Sequence, residues 1–207
     1  MASAVAVMAR LRNTIPMLDL AMVRRFDPLD LWPVTDLFER EKLALFACCA
    51  TPSTARNVWP GLARLWGDWA CRPFRRVWAL IGTGKVRDIL EPLRLGAHIR
   101  PLRKLGSLPP TWSWHDLLPI IGNWQGRLVG LYGSPDAMVA CLTRSVLREL
   151  RAVFPGECWL PKLIPEPGSV YERAECLFIE LARRRGLKPW QLDRQIRRRC
   201  GMGLWAA

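Results

Sequence analysis

The sequence predicts an all-α fold. Three observations carry that expectation: apolar residues recur at spacings of three and four, cap-forming residues stand ahead of those runs, and no alternating strand pattern exceeds a few residues. The 207 residues suit one domain, or two small lobes sharing a cleft, and half of them are hydrophobic, enough to build a packed core.

Thr35-Asp36 is placed to cap a helix running through Glu39 and Lys42 into Leu43–Ala50, whose apolar density marks it as buried. Ser53-Thr54 opens a second helix, with Val58, Leu62, Leu65 and Trp69 on one face. Shorter helices fit Phe74 to Ile81 and Val86 to Leu93. After the break at Pro109-Pro110, Ser113 caps a helix carrying Trp114, Leu117 and Leu118 and ending at Pro119. A tight turn leads to a helix starting near Asn123. Pro135 and Asp136 then fit the first turn of a helix continuing to Leu150, with the Asp136 carboxylate favourable to its dipole. Beyond a Pro/Gly-rich connection at 155–168, the final helices are expected at Ser169–Gly186 and Pro189–Arg199.

Lys and Arg total 31 against 18 Asp and Glu, a net charge of +13. Such an excess repels itself in a compact chain and points to a polyanionic partner such as nucleic acid. The densest basic block is Arg183–Arg199, and Arg100, Arg103 and Lys104 form a smaller one. The longest apolar stretch, Leu43–Ala50, is far too short for a membrane span, so no membrane partner is expected. The first residues lack the charge order of a secretory signal and read as an arm or helix. Seven cysteines, Cys48 and Cys49 adjacent, do not make a disulfide framework, so a reducing, cytoplasmic compartment is expected; a nucleoid-associated monomer is the accompanying expectation. His98 and His115 have no Cys or acid at metal-binding spacing along the chain, and Gly82 and Gly84 lack the residues of a phosphate loop; no metal or other cofactor is expected. Most of the eleven tryptophans should pack in the core, leaving one or two to stack on bases.

Residues 114–129, with Leu118-Pro119-Ile120-Ile121-Gly122 between two helices, resemble the helix-hairpin-helix of the endonuclease III-like DNA glycosylases. Such a hairpin presents backbone amides and a helix N-terminus to a DNA phosphate. The resemblance extends in order along the chain. Phe38, Glu39 and Thr51 fall in register with the family's opening helix pair, and Ile89, Leu90, Pro92, Leu93 and Leu95 with the next segment. Val139, Val146, Leu147 and Leu150 match the helix after the hairpin. Pro189, Leu192 and Asp193 match the closing helices of some archaeal oxoguanine glycosylases. The resemblance implies a two-lobed fold with a cleft that bends duplex DNA and inspects an everted base, in base-excision-type repair. It divides the chain into an N-terminal arm with a lobe-completing helix (1–34), a glycosylase-like core (35–150) and C-terminal helices completing the second lobe (151–207).

In the same register the family's catalytic aspartate falls on Ala140, its Schiff-base lysine on Trp124, its base-gap wedge on Cys49 and the first hairpin glycine on Ile120. Cys158, Cys176 and Cys200 are too few and too far apart for the iron–sulfur loop. The resemblance therefore implies a member that recognises damaged or mismatched bases without lysine-dependent lyase chemistry. Its DNA-binding residues would be Thr51, Ile121, Gly122, Asn123, Trp124, Gln125, Gly126, Arg127 and Arg144. Asp136, one helical turn before Ala140 in the expected helix, is the candidate catalytic carboxylate for the alternative of an active monofunctional N-glycosylase; a basic structural component of a nucleoprotein complex is the third reading.

Overall fold

The computed structural model describes residues 36–49, 72–91 and 96–200, and among these all regular structure is helical. Asp36 starts α1 (Leu37–Cys49) by accepting the backbone N–H groups of Phe38 at 2.9 Å and Glu39 at 3.2 Å. The expected cap is thus realised, satisfying amides the helix cannot. Every residue from Leu43 to Cys49 is buried. The helix expected after Ser53-Thr54, the arm at 1–34, and Thr51, Pro92, Leu93 and Leu95 lie outside the described residues.

Next come α2 (Pro73–Gly82), α3 (Val86–Leu90), a 3-10 turn at Gly96–His98 and α4 (Ile99–Gly106). Glu41 of α1 ties α2 in place, since its carboxylate accepts from the Arg72 guanidinium and from the Phe74 backbone N–H at 3.1 Å. Helix α5 (Trp114–Ile121) begins at Ser113, whose backbone N–H donates to the Asp116 carboxylate at 2.7 Å. It runs two residues past its expected end at Pro119. Proline deletes only the bond to the preceding turn, and the Gly122 N–H still closes the last turn on the Leu118 carbonyl at 3.1 Å.

Gly122 joins α5 to α6 (Asn123–Gly133) at φ 95°, ψ 164°, where a β-carbon is strained. The two helices then lie nearly in backbone contact. A Cβ on Gly126 would come 2.7 Å from Leu118 Cδ2, and one on Gly130 2.8 Å from the Trp114 ring. Glycines four apart thus make the groove into which α5 fits.

The segment after α6 departs from the expected helix. Residues 134–143 are not helical, and α7 (Arg144–Val153) starts only after Thr143, whose Oγ1 accepts the Val146 N–H at 3.2 Å. The reason lies in the packing. Val139 and Cys141 point into one hydrophobic cluster, built on α1–α6, while Ala140 and Leu142 point into a second, built on α7, α8 (Ser169–Arg184) and α9 (Pro189–Arg199). Alternation between opposite sides is what extended backbone provides and a helix does not. The two clusters therefore meet along 139–142, and α7 packs with the closing helices. Gly186, at φ 63°, ends α8 as a Schellman turn, with the Leu187 N–H donating to the Ala182 carbonyl at 2.9 Å.

Candidate nucleic-acid interface

At the tip of the α5–α6 hairpin Gly122 is exposed, and Ile121, Asn123 and Gln125 are partly so. This places four of the expected DNA-contact residues together at a helix N-terminus. The others in the hairpin have internal roles. Trp124 packs against the first cluster, and its carbonyl lies 3.7 Å from the Cys141 thiol. Gly126 is buried beneath Leu118.

Arg127, expected to meet phosphate, is turned inward. It forms an ion pair with Glu175 of α8, and its Nε donates to Asn123 Oδ1 at 3.1 Å. The guanidinium lies over the Tyr171 ring, 4.6 Å from its centroid. The Glu175 oxygen that takes Arg127 also accepts the Ala140 N–H at 2.8 Å, while the Tyr171 hydroxyl donates to the Ala140 carbonyl at 3.0 Å. One network thus joins the hairpin, the extended segment and α8.

That network bears on the positions matched to catalytic groups. The Ala140 side chain is wholly buried in the second cluster, and Cys49, matched to the wedge, is wholly buried in the first. Asp136 does not occupy a helical first turn. It is exposed and paired with Lys188 Nζ at 2.6 Å, and the turn of helix expected to link it to Ala140 is absent.

The basic groups gather where α7, α8 and α9 meet. Glu149 of α7 takes Arg185 at 2.8 Å and Arg199 at 2.9 Å on one carboxylate oxygen. Next to Glu149 in the chain, the Arg148 guanidinium reaches the Cys200 sulfur at 2.9 Å. Arg144, one turn before Arg148, is exposed on the same face of α7. Burial opposes the charge on Glu149, but the bonds from Arg185 and Arg199 outweigh it and hold the carboxyl below its ordinary range. Cations at helix C-termini also suit the dipoles, a local role for part of this charge.

Within the basic block Arg197 is buried. Arg197 pairs with buried Asp193, which also accepts the buried Tyr132 hydroxyl. Burial pushes the Tyr132 hydroxyl well up. On α4, Arg100, Arg103 and Lys104 are exposed, as is Trp78 of α2.

A last constellation escaped the sequence reading. Cys48, Cys49 and His98 converge, their potential ligand atoms all within 4.8 Å of one another. A hydrogen bond from Cys49 lowers the Cys48 thiol to about 7 against the cost of burial, with His98 adding to the effect. The same contacts push Cys49 well up and raise His98. No spacing along the chain signals this, because His98 arrives from another element.

Among the described residues no helix is long and apolar enough to cross a membrane. No protein-family model, curated protein or solved structure matches the chain.

Proposed function

We propose that this protein binds duplex DNA without itself cleaving the glycosidic bond, recognising damaged or mismatched sites in the manner its resemblance to the helix-hairpin-helix glycosylases implies. The observation that carries the reading is the cluster around Glu149, where one carboxylate serves Arg185 and Arg199 while Arg148 and Arg144 extend the positive surface along α7. Phosphates would supply the missing counter-charge there. The hairpin tip at Gly122 would add backbone N–H groups for one phosphate, and the duplex would lie between the two helical lobes the resemblance implies.

Two observations favour a binder over an enzyme. Ala140 offers no carboxylate and is sealed in the core, and Asp136 is an exposed partner of Lys188. Neither meets the need for a desolvated anion near a developing sugar cation.

The test is binding of a labelled duplex across a salt series. Affinity should fall steeply, with log K linear in log salt and a slope of about −0.9 per neutralised phosphate. Arg144→Gln and Arg148→Gln should each reduce the magnitude of the slope by about one contact. A flat salt dependence, or no binding at low salt, refutes the proposal.

A further inference from the structure

We propose that Cys48, Cys49 and His98 form a zinc site that fastens the end of α1 to the turn leading into α4. The two cysteines close the last turn of α1, are buried and take part in no disulfide. His98 ends the Gly96–His98 turn and is partly exposed, so one side of the trio opens toward solvent. The donor atoms are gathered within 4.8 Å. A tetrahedral zinc needs its sulfur and nitrogen donors about 3.4–3.8 Å apart, from Zn–S near 2.3 Å and Zn–N near 2.0–2.1 Å, so small rotations of these side chains suffice.

Donor type and charge select the ion. Two thiolates and an imidazole are ligands for zinc or copper, whereas magnesium and calcium require oxygen. Zinc(II) with two thiolates and a neutral imidazole has no net charge; copper(I) in the same set leaves one negative charge. Around the cysteines lie Leu45, Phe46 and the rest of the first cluster, and an uncompensated charge is costly in apolar surroundings. Starting from two thiols, binding releases two protons and forms two Zn–S bonds and one Zn–N bond, with no change of oxidation state. Three protein ligands leave a fourth position for water on the His98 side.

The test uses the full chain, reduced and stripped with chelator, titrated with cobalt(II) and then zinc(II). Expected are one cobalt per chain, a thiolate-to-cobalt charge-transfer band, visible bands of tetrahedral cobalt, and displacement of all of them by zinc. Zinc at a hundredfold its Kd should raise the Tm by roughly 5–10 °C. A Cys158→Ser/Cys176→Ser variant, lacking two exposed thiols, should keep the bands. His98→Asn, a change at a partly exposed turn, should keep its helicity yet bind more weakly by over a hundredfold, beyond the roughly 10–100-fold typical of losing an outer-shell partner. Absence of the charge-transfer band in the parent chain overturns the proposal, as does undiminished affinity in His98→Asn or a band of undiminished intensity in Cys48→Ser.

Discussion

Glu175 holds Arg127 in an ion pair across the gap between α6 and α8, and each side chain is only 13% exposed. Removing one member leaves the other charged, poorly hydrated and without its partner. Arg127→Ala should cost on the order of 3 kcal/mol, read from denaturant midpoints. Glu175→Gln retains an acceptor for the Ala140 N–H and should cost less than Glu175→Leu, which orphans it. Because the guanidinium faces inward, Arg127→Gln should leave the salt slope of duplex binding unchanged in a folded variant. A slope reduced by a full contact would show that Arg127 leaves Glu175 to meet phosphate.

The α5–α6 contact makes a graded prediction. At Gly130 a β-carbon meets the rigid Trp114 ring, while at Gly126 it meets the end of a leucine side chain that can rotate. Gly130→Ala should therefore destabilise by about 1–3 kcal/mol and Gly126→Ala by less. Gly122→Val, at positive φ, should cost about 1–2 kcal/mol through backbone strain. It should weaken duplex binding more than it lowers helicity, because it deforms the tip and leaves the cores intact. Circular dichroism and a binding isotherm on the same sample decide the point.

Glu149 gives a pH dependence with a definite sign. Its carboxyl is held down in the folded state, so the unfolded chain takes up that proton first as pH falls. The stabilisation is complete above the ordinary carboxylate range and is lost as the pH drops through the lower, folded value. Glu149→Gln should remove this part of the acid sensitivity, at a cost near neutrality of about 0.2–1 kcal/mol for each partly exposed pair. The same substitution frees Arg185 and Arg199 and raises the net charge by one, so low-salt duplex affinity should rise. A fall in affinity would mean that Glu149 aligns the arginines for binding.

Local signals in the sequence were enough for most helices and for the hairpin. Asp36 ahead of the apolar run gives α1, Ser113 with Asp116 gives α5, and Gly122 gives the turn. The stretch 135–143 misled for a physical reason: a short apolar run fits either period, and only the two cores on either side of it choose extended backbone. Pairings between distant elements had no local trace. Arg127 meets Glu175 48 residues away, and His98 meets cysteines on α1. Gly122 was legible as the hairpin turn, whereas the packing of Gly126 under Leu118 and the pairing of Arg127 with Glu175 depend on how α5 and α8 settle and leave no local trace.

Base excision separates the binder from the enzyme. With Ala140 buried and Asp136 paired to Lys188, the described residues place no desolvated carboxylate at either matched position. Loss of one well-placed electrostatic partner typically costs about 2.7–4 kcal/mol of barrier lowering, a hundred- to a thousandfold in rate. Incubation with a panel of damaged and mismatched duplexes, followed by alkali, should therefore yield no strand breaks above background while binding persists. Asp136→Asn should change neither readout beyond the loss of one exposed ion pair. Ala140→Asp should not create activity. Its carboxylate would enter the buried second cluster, which includes Leu142 and Tyr171, where an unpaired charge costs several kcal/mol, so the variant should unfold at much lower denaturant. Efficient excision by the parent chain that survives Asp136→Asn would locate the catalytic group outside both positions, and excision gained by a stable Ala140→Asp variant would show that this site opens to the duplex.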